Sequence, residues 1–284
     1  MLFGIAYRML GSAADAEDIL QDAWLKWSRV DTSAVAEPRA YLARTVTNLS
    51  LDRLTSAAVQ RESYVGTWLP EPLVTAPGRA DRPEGVESGV ERAEDVSLAL
   101  LVVLESLSPL ERAVFVLKEA FGFAYAEIAG MLGRTEPAVR QVGSRARAHV
   151  QAGRPRYEAP PEVRRRVTDE FLAACVGGDL NQMMAMLAPD VTVWTDGGGK
   201  IRAALRPLYG ADKAARWILG VMGGRPIPDM GVHRVDVNGQ PGLMITSGDS
   251  TDSVMVLELD DTGITEIRMV RNPDKLTHIT PPKA

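Results

Sequence analysis

Residues Ala124–Val150, AYAEIAGMLGRTEPAVRQVGSRARAHV, decide how the chain is organised. The spacing predicts two short helices joined by a tight turn. Ala129 is small where the two helices would cross, and Gly133, four residues on, can take the left-handed conformation that ends the first helix. Thr135 can cap the second helix. Val139, Val142 and Ala146 then turn inward at three- and four-residue steps, which leaves Arg140, Gln141, Ser144, Arg145 and Arg147 outward. This is the spacing of a helix-turn-helix. Arg and Gln side chains match guanine and adenine edges bidentately in the major groove, while further arginines and Ser144 suit phosphates. An ordinary helical hairpin with a charged face would share the small and apolar positions, so charge decides between the two. From Arg134 to Arg156 there are six arginines (134, 140, 145, 147, 154 and 156) and one acid, Glu136. In a chain of net charge −5 that stripe is a placed electrostatic footprint, and DNA binding is the better reading.

Upstream, Ser108-Pro109-Leu110-Glu111 is a capping box with proline at the first helical position, and the helix it starts carries Val114, Leu117 and Phe121. Residues 1–62 also read as helices. Ser12–Asp15 is a capping-box-like start, after which Ile19, Leu20, Ala23, Trp24 and Trp27 share one face at helical spacing. Asp15, Glu17, Asp18 and Asp22 fall elsewhere and make an acidic face that repels phosphate. Such a face is either simply solvated or a docking surface for a basic partner. The turn-rich segment Ser28–Glu37 leads to Pro38, a good first helical residue. The helix that follows is expected to bury Leu42, Val46 and Leu49 and to offer Arg44, Asn48 and Arg53 as polar groups.

Between the helical blocks, residues 64–95 hold four prolines and four glycines, with three basic against seven acidic residues. This is linker composition, yet its start, YVGTWLPEPLV (64–74), is too apolar for a solvated linker and too rich in proline for a helix or central strand. It is expected to lie against a folded surface. A second break, GRPRYEAPPE, covers 153–162. Beyond it one or two helices precede the alternating segments VTVWT, HRVDVNG, GLMITSG, SVMVLELDD and ITEIRMV. The organisation expected is therefore 1–62 helical, 63–95 linker, 96–152 helix-turn-helix, 153–161 linker and 162–284 an α+β domain.

At 284 residues, 45% hydrophobic and 24% charged, the chain has the size and composition of about two soluble domains. Cys175 is the only cysteine, so no internal disulfide forms, which fits a reducing cytoplasm. No apolar run approaches the roughly 20 residues of a membrane span. The N-terminus lacks the pattern of a secretory signal, so a cytoplasmic protein without a membrane partner is expected. Three histidines and one cysteine give no metal-site pattern, and no cofactor is expected.

FGIAYRMLGSAADAEDILQDAWLKW (3–27), AYLARTVTNLSLDRL (40–54) and LSPLERAVFVLKEAFGFAYAEIAGMLGRTEPAVRQVGSRARA (107–148) together resemble the extracytoplasmic-function sigma factors of bacterial RNA polymerase, in that family's order. The resemblance implies two all-α sigma regions that bind core RNA polymerase and direct promoter-specific initiation. It implies that Asp15, Glu17, Asp18, Gln21 and Asp22 face the polymerase. Ser28–Glu37 with Arg44 and Asn48 would hold the melted −10 element, and Arg140, Gln141, Ser144, Arg145 and Arg147 would read the duplex −35 element. The acidic total charge fits this role, because a factor delivered by polymerase needs only local basic patches. Relatives also carry residues ahead of the equivalent of Phe3 that complete the first helix.

The resemblance extends to YVGTWLPEP (64–72), which includes Trp68-Leu69-Pro70-Glu71-Pro72, to Asp196-Gly197-Gly198-Gly199-Lys200 and to Asn272-Pro273-Asp274-Lys275-Leu276. These are similar to the hallmark motifs of a subgroup that fuses a SnoaL-like domain, of the cone-shaped nuclear-transport-factor-like fold, to the sigma regions and uses it for regulation in cis. A small-molecule ligand of that domain is a candidate partner. Asp196, His233 and Asp249, with Trp194 and Met183, Met184 and Met186 as lining, are the residues that could build a catalytic cavity on this fold. No Asp–His pair has a spacing that demands chemistry, and catalysis is not expected. DGGGK lacks the Walker spacing and reads as a hairpin turn between VTVWT and IRAAL, where glycines allow another segment to approach closely. The Trp68–Pro72 segment is expected to pack there and near NPDKL. Two rivals stand beside the sigma factor: a one-component helix-turn-helix regulator with a ligand-sensing C-terminal domain, and an isomerase- or cyclase-like enzyme with a regulatory N-terminus. Neither explains residues 1–62 as well.

Overall fold

The computed structural model describes residues 1–75, 96–153, 159–224 and 227–281, with the backbone alone for 56–62 and 222–224. Pro77 and Pro83 of the linker and Arg154 and Arg156 of the basic stripe lie outside these residues. The chain divides into a helical unit, Met1–Ser63 with Glu84–Arg154, and a sheet unit, Tyr64–Pro83 with Pro155–Ala284. The linker is thus split, and its apolar start belongs to the sheet unit.

In the helical unit, α1 (Leu2–Leu10) stops at Gly11, whose φ of 67° only glycine adopts readily. α2 (Ala13–Trp27) starts where Ser12 Oγ accepts the Asp15 N–H. α3 (Pro38–Glu62) buries Ala43, Val46, Thr47, Ser50 and Leu54. Leu42 and Leu49, expected in the core, are half-buried at its rim, because the stripe that faces inward is made of smaller side chains and brings the helices close. The second block contains α4 (Leu98–Glu105), α5 (Pro109–Phe115), α6 (Tyr125–Leu132) and α7 (Glu136–Gly153). Both halves of the Ser108/Glu111 capping box are formed. One π-helical turn, Val116–Ala120, follows α5, and it rotates Phe121 off the buried stripe of Val114 and Leu117. Arg112 ties the two helical blocks together. Its buried guanidinium donates to the Met9 carbonyl at 2.6 Å and to Glu105 Oε1 at 2.9 Å. Arg8 and Arg39 lie over the rings of Phe121 and Phe123, each 5.4 Å from the ring centre.

The sheet unit contains α8 (Pro161–Gly177), α9 (Leu180–Met186), α10 (Ala211–Gly224) and a seven-stranded sheet. The strands are β1 (Val74–Thr75), β2 (Leu187–Asp196), β3 (Leu208–Tyr209), β4 (Met230–Val237), β5 (Gln240–Ser247), β6 (Ser250–Asp260) and β7 (Gly263–Val270). Their order is β1-β4-β5-β6-β7-β2-β3, antiparallel except for the parallel pair β2–β7. Phe171 of α8 and Ile218 of α10 pack with Val193, Met255, Leu257 and Ile267 of the sheet into one apolar core. All five segments that alternate in the sequence are strands. IRAAL is not: residues 201–205 form a loop, closed by Thr195 Oγ1, which accepts the Ala204 N–H at 2.9 Å and donates to its carbonyl at 3.1 Å. Pairing with β2 is made instead by Leu208 and Tyr209, beyond Pro207, which has no N–H to offer a ladder.

Candidate functional site

The parallel pairing of β2 and β7 builds the main site. Asp196 and Val270 are partners in register at the ends of these strands, so the turns that follow, DGGGK and NPDKL, emerge side by side from one edge. Arg271 N–H donates to the Asp196 carbonyl at 2.7 Å and continues the ladder one step past β7. Lys200 Nζ reaches Asp274 Oδ2 at 2.6 Å and ties the two turns.

Each glycine of DGGGK leaves room for a different neighbour. A Cβ on Gly197 would sit 2.5 Å from the Ile201 carbonyl oxygen, within the turn itself. One on Gly198 would meet Asn272 Nδ2 at 2.4 Å, and one on Gly199 would meet Val65 Cβ at 3.0 Å. Gly198 and Gly199 also take φ of 60° and 71°. Gly198 thus admits NPDKL and Gly199 the start of the linker, while Gly197 serves the turn itself.

Residues 64–75 lie on this surface as a strap. The Tyr64 hydroxyl donates to Asp196 Oδ1 at 2.5 Å and accepts from Asn272 Nδ2 at 2.8 Å. Burial, and then the Asp196 carboxylate beside it, pushes the Tyr64 hydroxyl well above its usual range. Leu69 N–H donates to Asp196 Oδ2 at 2.9 Å, while Lys275 Nζ donates to the Leu69 carbonyl at 2.5 Å and to Asp196 Oδ2 at 2.7 Å. The Lys275 ammonium also sits 4.1 Å from the Trp68 ring centre and 5.1 Å from that of Tyr64. Leu69, Pro70, Glu71 and Pro72 are buried, and Trp68 is half-buried. Glu71 Oε1 lies 3.4 Å from His278 Nδ1, and His278 Nε2 is 3.0 Å from the Pro72 carbonyl oxygen. Leu73 exchanges two hydrogen bonds with Asn238, and the strap ends as β1 on the edge of β4. Its prolines stand where no backbone donor is needed, so the strap is ordered without leaving the Leu69 and Leu73 N–H groups unsatisfied. Asn238 and His278 are the contacts that the motifs did not mark.

Asp196 is not free for proton transfer, since Tyr64, Leu69, Gly198 and Lys275 all donate to it. His233 lies 3.3 Å from Thr246 Oγ1, and Asp249 is exposed in the β5–β6 turn. Met183 is buried, Met184 exposed, and Met186 and Trp194 half-buried, so these residues do not converge on one cavity. Among the described residues no group of three His, Cys, Asp or Glu could hold a metal ion, and no helix is long and apolar enough to cross a membrane.

In the helical unit, Gly133 takes a φ of 62° between α6 and α7, while Val139, Val142 and Ala146 are buried. Arg140, Gln141, Ser144, Arg145 and Arg147 are all exposed on α7. Three of the arginines already have acidic partners: Arg140 with Glu136 at 2.5 Å, Arg145 with Glu111 at 3.7 Å and Arg147 with Glu119 at 2.7 Å. Gly143 is buried against Tyr125, whose ring and hydroxyl stand 3.0 Å from where a Cβ would be. On α2, Glu17, Asp18, Gln21 and Asp22 are exposed, whereas Asp15 is half-buried and joined to Arg53 at 2.5 Å. Trp24, expected on the inward face, is 65% exposed beside Leu25 at 49%. Ala16, Ile19 and Ala23 fill the contact with the neighbouring helices, and the indole is left outside beside Gln21 and Asp22. Arg44 is exposed and Asn48 half-buried on α3.

Residues 1–59 match the Sigma-70 region 2 family and residues 97–150 match Sigma-70, region 4. Over 285 residues the chain is 39% identical to ECF RNA polymerase sigma factor SigJ of Mycobacterium tuberculosis (strain ATCC 25618 / H37Rv), covering 97% of this chain and 90% of that protein. It is 31% identical to Probable ECF RNA polymerase sigma factor SigI of the same strain, covering 97% and 91%. The crystal structure of the M. tuberculosis extracytoplasmic function sigma factor SigJ superposes with a TM-score of 0.75 at 36% identity, covering 97% of this chain and 94% of that one. The match to region 2 is what a one-component regulator leaves unexplained. With both sigma regions in order and the similarity to SigJ running over 97% of this chain, the chain belongs to the extracytoplasmic-function sigma factors of RNA polymerase.

Proposed function

We propose that this alternative sigma factor is controlled in cis by its sheet unit, through the strap that begins the connection between its two sigma regions. The observation that carries this reading is the Asp196–Lys275 pair, which clamps residues 64–69 by side-chain and backbone hydrogen bonds. Holding the strap fixes the start of the region 2 to region 4 connection, and releasing it lengthens the tether between them. A clamp of this kind biases the two regions toward or away from the geometry that polymerase accepts. Asp18, Gln21 and Asp22, joined by exposed Trp24 and Leu25, form the surface for core RNA polymerase. A half-apolar patch with an acidic rim suits a stable protein interface. Ser28–Glu37 with Arg44 and Asn48 hold the melted −10 strand, and α7 enters the major groove of the −35 element. The protein works beside the polymerase in the cytoplasm, performs no catalysis, and takes a small molecule in the sheet unit as its signal.

Run-off transcription with bacterial core polymerase, on DNA from upstream of the protein's own gene, tests the reading. Full-length protein should initiate at a specific start. Trp24→Ala should lose polymerase binding while keeping its melting temperature. Trp68→Ala should change output and expose the strap to protease. Unchanged output together with unchanged cleavage in Trp68→Ala would reject control through the strap.

A further inference from the structure

The DGGGK turn has a second side. Lys200, Ile201, Arg202 and Ala203 form one wall of a cavity of about 1210 Å³ whose other walls are α10 and the ends of β5, β6 and β7. Sites for drug-sized molecules run to about 300–1,000 Å³, so this one has room for an organic ligand. Its apolar lining is Ile201, Trp217, Val221 and Ile227, with the Trp217 indole half-buried. Its charged lining is one-sided: Lys200, Arg202, Arg216 and Arg271 against one carboxylate, Asp252. Asp252 is already held by Arg271 Nη2 at 3.0 and 3.1 Å, and Arg271 Nη1 donates to the Arg202 carbonyl at 2.9 Å. Lys200 and Arg216 are paired outside the lining with Asp274 and Asp212, which still leaves one positive charge in excess. That excess is Arg202, whose guanidinium is exposed and makes no ion pair or hydrogen bond among the described residues.

We propose that this cavity binds a small amphipathic organic anion, with the apolar body against Trp217, Ile201 and Ile227 and the acidic head on Arg202 and Arg216. A cation would meet a lining with a net positive charge, and a neutral apolar ligand would leave Arg202 unused. The position gives the ligand a lever. Asp196, where the turn begins, holds the strap, and Lys200, where it ends, both lines the cavity and binds Asp274 beside the clamping Lys275. A ligand that draws Lys200 or Arg202 inward therefore acts on the seat of the strap. This deepens the reading of the sheet unit as a regulator in cis and rests on it for its biological meaning, though not for the binding itself.

The test uses full-length protein and two probes that differ in one group, 1-anilinonaphthalene-8-sulfonate and its uncharged analogue N-phenyl-1-naphthylamine. The sulfonate should bind saturably at one site per chain and more tightly than the neutral analogue. An R202Q/R216Q double variant with an unchanged melting temperature should bind the sulfonate about fivefold more weakly, on the scale of two exposed charge contacts, with little change for the neutral probe. Equal affinity for both probes, non-saturable binding, or sulfonate binding indifferent to R202Q/R216Q would overturn the proposal. The same preparations in run-off transcription separate the two ideas. If Lys275→Met alters output but the sulfonate fails to bind, the anion site falls and control through the strap stands. If the sulfonate binds as expected and Lys275→Met leaves output unchanged, the site stands and the regulatory reading falls.

Discussion

Tyr64 donates its hydroxyl hydrogen to Asp196 Oδ1 at 2.5 Å, joining residues 132 positions apart. Asp196 is fully buried, yet a buried carboxylate is tolerated only when paired and hydrogen-bonded. Here Lys275 supplies the opposite charge, and Tyr64 and the Leu69 N–H supply donors that exist only while the strap is docked. The strap and the strand end satisfy each other.

Asp196→Ala should therefore be far more damaging than Tyr64→Phe. Removing the carboxylate leaves the nearly buried Lys275 ammonium without its counter-charge, which typically costs about 3–5 kcal/mol. Tyr64→Phe removes one donor and leaves three, a loss of about 1–2 kcal/mol. Thermal melts rank the two variants. Limited proteolysis of the strap should show cleavage at lower protease in both, since a local opening needs less free energy than global unfolding.

The same pair makes docking sensitive to alkali. Unfolded tyrosine titrates near pH 10, and burial with the Asp196 charge raises the folded value above that. A group that holds its proton more tightly when folded contributes stability that is complete below about pH 10 and is lost as pH rises through the folded value. Strap protection measured from pH 8 to pH 11.5 should fall at the alkaline end in the natural protein. In Tyr64→Phe the curve should be flatter. Parallel curves would show that another group sets the dependence.

Much of this is legible in the sequence. The helix-turn-helix was readable because Gly133, Val139, Val142 and Ala146 serve one local geometry. WLPEP was readable as a docked segment because Trp68 and Leu69 sit among prolines that cannot make a helix. His278 was not, because its role depends on the parallel β2–β7 pairing that brings DGGGK and NPDKL to one edge, and no local pattern encodes that. Trp24 departs from its expected inward face for a simpler reason. Helical spacing says which residues share a face but not how wide the buried stripe is, and with Ala16 and Ala23 in the contact the stripe is narrow. IRAAL alternates weakly and reads as a strand, but the Thr195 side chain closes that loop in place of a ladder.

Gly198→Ala should release the strap without touching any charged group. The added Cβ would stand 2.4–2.8 Å from the side-chain atoms of Asn272, in a residue with φ of 60°. Asn272 would have to leave Tyr64, and left-handed backbone is strained for alanine. Gly177→Ala is the control, since it is the last residue of α8 with nothing within 4 Å of its Cβ position. It should be neutral or stabilise by up to about 1 kcal/mol through helix propensity. Equal protease sensitivity in the two variants would contradict the role given to Gly198.

Glu119→Gln should strengthen binding to duplex DNA. Arg147 Nη2 donates to Glu119 Oε1 at 2.7 Å, so DNA phosphate must displace a carboxylate before it can use that arginine. Burial does not protect the pair, whose side chains are 45% and 36% exposed, so it is an ordinary surface ion pair that solvent and salt screen. Neutralising Glu119 should raise affinity by about two- to fivefold at low salt. If Arg147 then meets a phosphate, the logarithmic salt slope should also steepen by about 0.9, the increment for one released counterion. Arg147→Gln should lower affinity and flatten the slope, and adding Glu119→Gln to it should do nothing further, because the carboxylate would have no arginine left to occupy. Fluorescence anisotropy with a labelled duplex over a salt series measures all four proteins. An unchanged slope in Glu119→Gln would place Arg147 away from the phosphates and leave Arg140, Gln141, Ser144 and Arg145 as the DNA-facing set.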